Sequence, residues 1–147
     1  MTGAPGPSGA SASRPSRPLP RITPLDAAHW EATTRGVLLV QRCSECARWQ
    51  WPAATRCPGC GADALVWERA SGRGRVHTYT VVHAAGHPAF AAEVPYNVTV
   101  VQLDEGPLML TNLVGLTQED ITVDLPVEVT FERVSPEMAI PRFTPRG

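Results

Sequence analysis

Cys43-Ser44-Glu45-Cys46, followed after ten residues by Cys57-Pro58-Gly59-Cys60, holds every cysteine of this 147-residue chain. A two-residue spacing lets both thiolates of a pair reach one ion, and two such pairs supply the four sulfurs of a tetrahedral site. Pro58-Gly59 suits the tight turn that aims backbone N–H groups at sulfur. Four thiolates favour zinc over the alternatives, a redox dithiol pair or an iron–sulfur site. The expected metal ligands are Cys43, Cys46, Cys57 and Cys60. With all four positions taken by protein, no place remains for water or substrate. The expected single zinc ion is therefore structural, standing in for a core that ~20–30 residues are too few to build.

Outward from the cysteines, the chain reads as β-rich. Val37 to Arg42 is apolar and β-branched and leads as a strand into the first pair, and a short strand around Trp67 leads out of the second. Upstream, Thr23-Pro24 opens a helix of about three turns, with Leu25, Ala28, His29 and Ala32 on one face and Gly36 as its C-cap. His29 and Trp30 read as packing residues. Downstream, Ser71-Gly72-Arg73-Gly74 is a turn. Val76 to Val82, Tyr96 to Leu103, Leu108 to Val114 and Val127 to Phe131 read as strands. Asp104-Glu105-Gly106-Pro107 joins the middle two as a hairpin turn, a solvated one and not a paired-carboxylate site. Ala84 to Pro95 is a loop long enough to carry function.

Composition removes several function classes. The net charge is −1, and all 13 basic residues are arginine, so Schiff-base chemistry and a phosphate-loop lysine are excluded. The charge balance argues against a protein that coats nucleic acid or an acidic membrane. Residues 1–20 are rich in Gly, Pro, Ala and Ser, and read as a disordered tail with no apolar secretory stretch. With no membrane span in sight, the expected location is cytoplasmic. The expected organisation is a tail (1–20), an N-terminal helix (21–36), a zinc ribbon (37–70) and a β-barrel domain (71–147).

Little remains for catalysis. No thiol is free, and no serine sits in a Gly-x-Ser-x-Gly elbow. His83 and His87 share the long loop with Glu93, open to metal binding, to proton transfer, to partner contact or to a plain loop role. Trp49, Trp51 and Trp67 read as packing for the ribbon, with stacking on an adenine as the alternative.

Residues 25–145 resemble a known family, the zinc-ribbon plus OB-fold proteins associated with acyl-CoA chemistry and long called a domain of unknown function. The resemblance runs through Trp30-Glu31, Leu39-Val40-Gln41-Arg42-Cys43 to Cys60-Gly61, Ser71-Gly72-Arg73-Gly74-Arg75-Val76, and Tyr79-Thr80-Val81-Val82-His83. It continues through His87-Pro88-Ala89-Phe90, Val94-Pro95-Tyr96, Leu103-Asp104-Glu105-Gly106, Thr111-Asn112-Leu113-Val114-Gly115 and Pro141-Arg142-Phe143-Thr144-Pro145. One departure is Asp124 in Val123-Asp124-Leu125-Pro126, where the family usually has Gly before the apolar–Pro pair.

The resemblance implies a mainly β chain with an N-terminal helix, a rubredoxin-like zinc ribbon and a C-terminal OB-fold β-barrel. It implies a non-catalytic accessory subunit of a thiolase-like enzyme (an acyl-CoA thiolase, side-chain aldolase or acyltransferase) that helps form the acyl-CoA path. A MaoC-type hydratase is a further implied partner, and acyl-CoA is met only indirectly. No catalytic residue carries over from the family. The partner-facing or acyl-CoA-facing loop would be the one holding His83, His87, Phe90, Val94 and Tyr96, with an exposed apolar patch around Phe90 and Val94. Two alternatives stand beside this: a single-stranded nucleic-acid-binding module, and a stand-alone acyl-CoA-processing enzyme using His83 or His87.

Overall fold

Residues 16–147 are described in the structure, a computed structural model; most of the expected tail lies outside the described residues. The described part of that tail, residues 16–20, is irregular, and its Arg17 reaches the body of the protein to pair with Glu93 and Glu132.

The helix α1 spans Ala27–Thr33, seven residues and not the three turns expected. The Asp26 carboxylate accepts the Thr23 amide at 2.7 Å and the Thr23 hydroxyl at 2.9 Å, which holds residues 24–26 in a turn. The first helical bond runs only from the Trp30 amide to the Asp26 carbonyl. At the other end, the C-cap is Thr34 and not the expected Gly36, which lies two residues further on at φ +70°, where the amides of Arg35, Gly36 and Val37 close on Ala32 and Thr33.

Strands β1 (Leu39–Cys43), β2 (Trp49–Gln50) and β3 (Leu65–Arg69) form an antiparallel sheet in the order β2-β1-β3. A second sheet holds β4 (Arg73–Val82), β5 (Tyr96–Leu103), β6 (Leu108–Thr111), β7 (Pro126–Ser135) and β8 (Met138–Pro145), in the order β6-β5-β4-β7-β8. This sheet curls until the segment after β6 meets β8. Leu113 bridges Phe143 in parallel, and the Val114 amide donates to the Phe143 carbonyl at 2.8 Å. The described residues are thus mainly β, with one short α-helix, a cysteine ribbon and an OB-type curled sheet.

Strand β8 was absent from the elements expected above. Pro141 and Pro145 speak against a strand, but β8 lies at the sheet edge, where a missing amide costs little. Its Phe143 is fully buried and centres the core with Val76, Val101, Leu103 and Val127. Leu38, Val40 and Ala70 belong to the same cluster, and Trp49 and Trp51 pack on it, so ribbon and barrel share one core.

Two local features explain quoted motifs. A Cβ on Gly74 would lie 2.4 Å from the Gln102 carbonyl, so only glycine lets β4 approach β5 there. Asp124, the family departure, adopts φ +67°, the left-handed conformation a glycine would take. Asp tolerates that region better than most residues. Here its amide donates to the Val76 carbonyl at 2.8 Å, and Arg75 donates to its carbonyl at 3.1 Å. The turn is kept without glycine.

Candidate functional site

The two cysteine pairs sit on matched turns. The Ala47 amide donates to the Cys43 carbonyl and the Gly61 amide to the Cys57 carbonyl, each at 2.9 Å. The residue after each pair, Ala47 or Gly61, has positive φ, so the left-handed positions lie beyond the pairs and not at Gly59. Gly59 instead makes room for a neighbour. A Cβ there would sit 2.9 Å from the Arg48 side chain, which covers the second turn.

The four sulfurs lie within 4.8 Å of one another and none is in a disulfide. Cys43 and Cys60 Sγ are 3.7 Å apart, and Cys46 and Cys57 Sγ 3.6 Å. A zinc–sulfur bond of ~2.3 Å gives tetrahedral sulfur–sulfur edges of ~3.8 Å, so the cage fits zinc. The Cys60 amide lowers the Cys57 thiol to about 6, aided by the Gly59 amide, against the opposing effect of burial. The Ala62 amide also acts to lower Cys60, but burial and the three neighbouring sulfurs outweigh it and push that thiol up to about 11. A dication relieves that crowding, because it binds thiolates and discharges their protons. A buried glutamine pair braces the linker between the cysteine turns. Gln41 donates to the Ala54 carbonyl at 3.0 Å and accepts the Ala54 amide at 2.8 Å and the Gln50 side chain.

On the barrel, a cleft of about 500 Å³ is walled by Phe90, Glu93, Tyr96, Asn112, Glu132 and Arg142, among others. Of the five loop residues singled out above, Phe90 and Tyr96 reach it; His83, His87 and Val94 do not. Phe90 and Val94 are half-buried, which corrects the exposed apolar patch expected there. Phe90 packs with Tyr96 and His87 at ring distances of 6.3 and 6.0 Å, and Arg17 lies over its ring. His87 is exposed, and its Nδ1 accepts the Ala89 amide at 3.0 Å, capping the short 3-10 turn Pro88–Phe90. His83 is exposed, so the two loop histidines do not converge on the cleft.

Glu93, noted beside the loop histidines, is also in the wall, whereas Asn112, Glu132 and Arg142 were not singled out as site residues. Asn112 and Arg142 lie within the Thr111–Gly115 and Pro141–Pro145 motifs, and the barrel's closure brings them together. Arg142 donates to Asn112 and, at 3.0 Å, to Glu132. Behind them, buried Asn97 donates to the Leu113 carbonyl at 2.9 Å and accepts the Leu113 amide at 2.7 Å and the Thr99 hydroxyl at 2.9 Å.

His29 and the ribbon tryptophans pack as expected. His29 is 1% exposed, with its ring 4.8 Å from Trp30, 4.5 Å from Trp51 and 6.1 Å from Trp67. Its Nδ1 lies 2.9 Å from the Leu39 carbonyl, and burial lowers its pKa.

Comparison with known proteins follows the same division. Family models match residues 30–66 as the ChsH2 rubredoxin-like zinc ribbon domain and residues 67–132 as the ChsH2 C-terminal OB-fold domain. A DUF35 domain-containing scaffold protein of Methanocaldococcus jannaschii is 33% identical over 68% of this chain and 71% of its own length. The chain belongs to the DUF35 (ChsH2) family. With this family goes the structural zinc, held by the four-cysteine cage described above. A chain of the solved "Ltp2-ChsH2(DUF35) aldolase" superposes on this DUF35 protein with a TM-score of 0.77 at 37% identity, covering 86% of this chain and 98% of that one. A DUF35 protein of unknown function from Sulfolobus solfataricus shares the fold at a TM-score of 0.60 and 14% identity. A protein of Thermomonospora curvata described as a probable enoyl-CoA hydratase alpha subunit is 38% identical over 88% of this chain. The present chain spans only 40% of that subunit's length.

Proposed function

We propose that this chain is a non-catalytic accessory subunit that binds and stabilises a thiolase-like enzyme and helps form its acyl-CoA path. The observation that carries this reading is its likeness, over almost the whole of the other chain, to a chain of the Ltp2–ChsH2 aldolase. The metal chemistry agrees. Four cysteines close the zinc coordination shell, and a zinc without an open position does not activate water or substrate. The partial likeness to an enoyl-CoA hydratase alpha subunit supports a hydratase, the MaoC type named above, as a second partner.

The cleft between Phe90, Tyr96, Asn112 and Arg142 is the proposed partner-facing surface, with the 84–95 loop as its rim. The nucleic-acid alternative gains little from this barrel. The exposed side chains of β5 and β6 are Gln102, Leu108 and Leu110, which offer neither a stacking ring nor a cation.

The test is co-expression with candidate thiolase-like catalytic subunits, followed by affinity capture through a tag on this chain. A stoichiometric complex whose catalytic subunit loses solubility without this chain is expected. Acyl-CoA turnover by the purified chain alone, abolished by His83→Ala or His87→Ala, would instead make it an enzyme.

A further inference from the structure

A second cleft, of about 370 Å³, lies where α1, the ribbon and the barrel meet. Its walls are mainly apolar, from Trp30, Trp51, Val98, Met109, Leu110 and Ile140. Among the described residues the one charged group there, Arg142, is already engaged by Glu132 and Asn112, so they offer no free charge to an anion.

His29 also lines this cleft and is almost wholly buried. A carbonyl can only accept, so the Nδ1 that faces Leu39 must carry the ring proton. In the neutral ring, Nε2 is then a bare acceptor on the opposite edge. It has no hydrogen-bond partner among the described residues. Burial favours this neutral form, as the lowered pKa of His29 reflects. A buried polar atom left without a partner costs ~1–3 kcal/mol, and the cleft that the His29 side chain lines offers room for one.

We infer that this cleft is a binding site for a neutral, mainly apolar molecule carrying one hydroxyl or N–H group, which donates to His29 Nε2 while its apolar body lies between Trp51 and the β6 side chains. The site adjoins the proposed partner surface, with Asn112 and Arg142 as a shared wall, and its test needs no partner.

The experiment uses the zinc-loaded full chain, labelled with nitrogen-15, and two probes of like shape: 2-naphthol, which has a donor, and 2-methoxynaphthalene, which has none. Long-range proton–nitrogen correlation reads both His29 ring nitrogens, and tryptophan fluorescence reads affinity. In the free chain, His29 is expected in the Nδ1–H form. Naphthol is expected to shift Nε2 in the direction of an accepted hydrogen bond and to bind about tenfold or more tightly than the ether, the worth of one buried hydrogen bond. Leu110→Arg, at an exposed wall position, is expected to weaken naphthol binding about tenfold while the chain stays folded. Equal affinity for the two probes overturns the inference, as does no binding of naphthol at millimolar concentration. It is also overturned by an Nε2 signal that is already hydrogen-bonded in the free chain and unmoved by naphthol, which would make a buried water its resident partner.

Discussion

None of the five residues of β3 is fully buried, whereas four of the eight in β5 are. The ribbon and the barrel are both small antiparallel sheets, but they are held differently. The ribbon's strands are two to five residues long, and its cysteine turns stand out into solvent, with Cys46 and Cys60 exposed. The barrel's strands reach ten residues and enclose Phe143, Val76, Val101, Leu103 and Val127. A sheet that encloses little apolar surface needs a cross-link at its open end, and four thiolates on one ion provide it.

The most damaging change acts on the ribbon. Cys57→Ser removes a ligand from the cage, and bound zinc is expected to fall from one ion per chain to nearly none, read by elemental analysis. Apparent zinc-binding energies of ~10–16 kcal/mol in small zinc modules put the loss at several kcal/mol of stability. Full thermal stability in the metal-free variant would show that the ribbon does not depend on its ion.

Phe143→Ala acts on the barrel instead. Truncating a fully buried aromatic costs ~3–5 kcal/mol. The expected result in denaturant unfolding is a lower midpoint, with zinc still bound at concentrations where the chain is folded.

Asn97→Ala tests how the barrel closes. It leaves the amide and carbonyl of Leu113 without their side-chain partners, for an expected loss of ~2–3 kcal/mol. Hydrogen exchange at the Leu113 and Val114 amides is expected to quicken far more than at β1. Equal quickening in both sheets would mean that Asn97 supports the whole molecule and not the seam.

Asp124→Gly is the mildest change and runs the other way. At φ +67° a glycine carries no steric penalty, so a gain of up to ~1 kcal/mol is expected in the same unfolding assay. A loss would show that the Asp124 side chain supports the turn.

Much of the metal centre and the hairpin was legible in the sequence, because both are set by local chemistry. Cysteine spacing places the four ligands, and the β-branched run Tyr96–Leu103 is an eight-residue strand with the expected bounds. The turn at Asp104–Pro107 joins it to β6, whose strand stops at Thr111, short of the Val114 expected. What was not legible depends on partners distant in sequence. Strand β8 hides behind two prolines that an edge position tolerates. The helix is shorter than its apolar pattern because Asp26 serves the Thr23 amide. Asn97 and Arg142 look like ordinary polar residues until the sheet curls and sets them against residues 112–113. His29 reads as packing, and it packs; only the fold shows that one of its nitrogens faces no protein partner.

Leu38, Val40 and Ala70 lie in the barrel's core although Val40 belongs to β1 and the other two flank the ribbon's strands. Metal supply and folding are therefore one linked equilibrium. An ion that binds only the folded ribbon adds RT ln(1 + [L]/Kd) to the stability of whatever melts with it, and the shared core extends that gain to the barrel. Each tenfold rise in free zinc above its dissociation constant then contributes ~1.4 kcal/mol to a domain that touches no metal. In a cell, zinc starvation would thus act as a control on how much of this protein survives proteolysis.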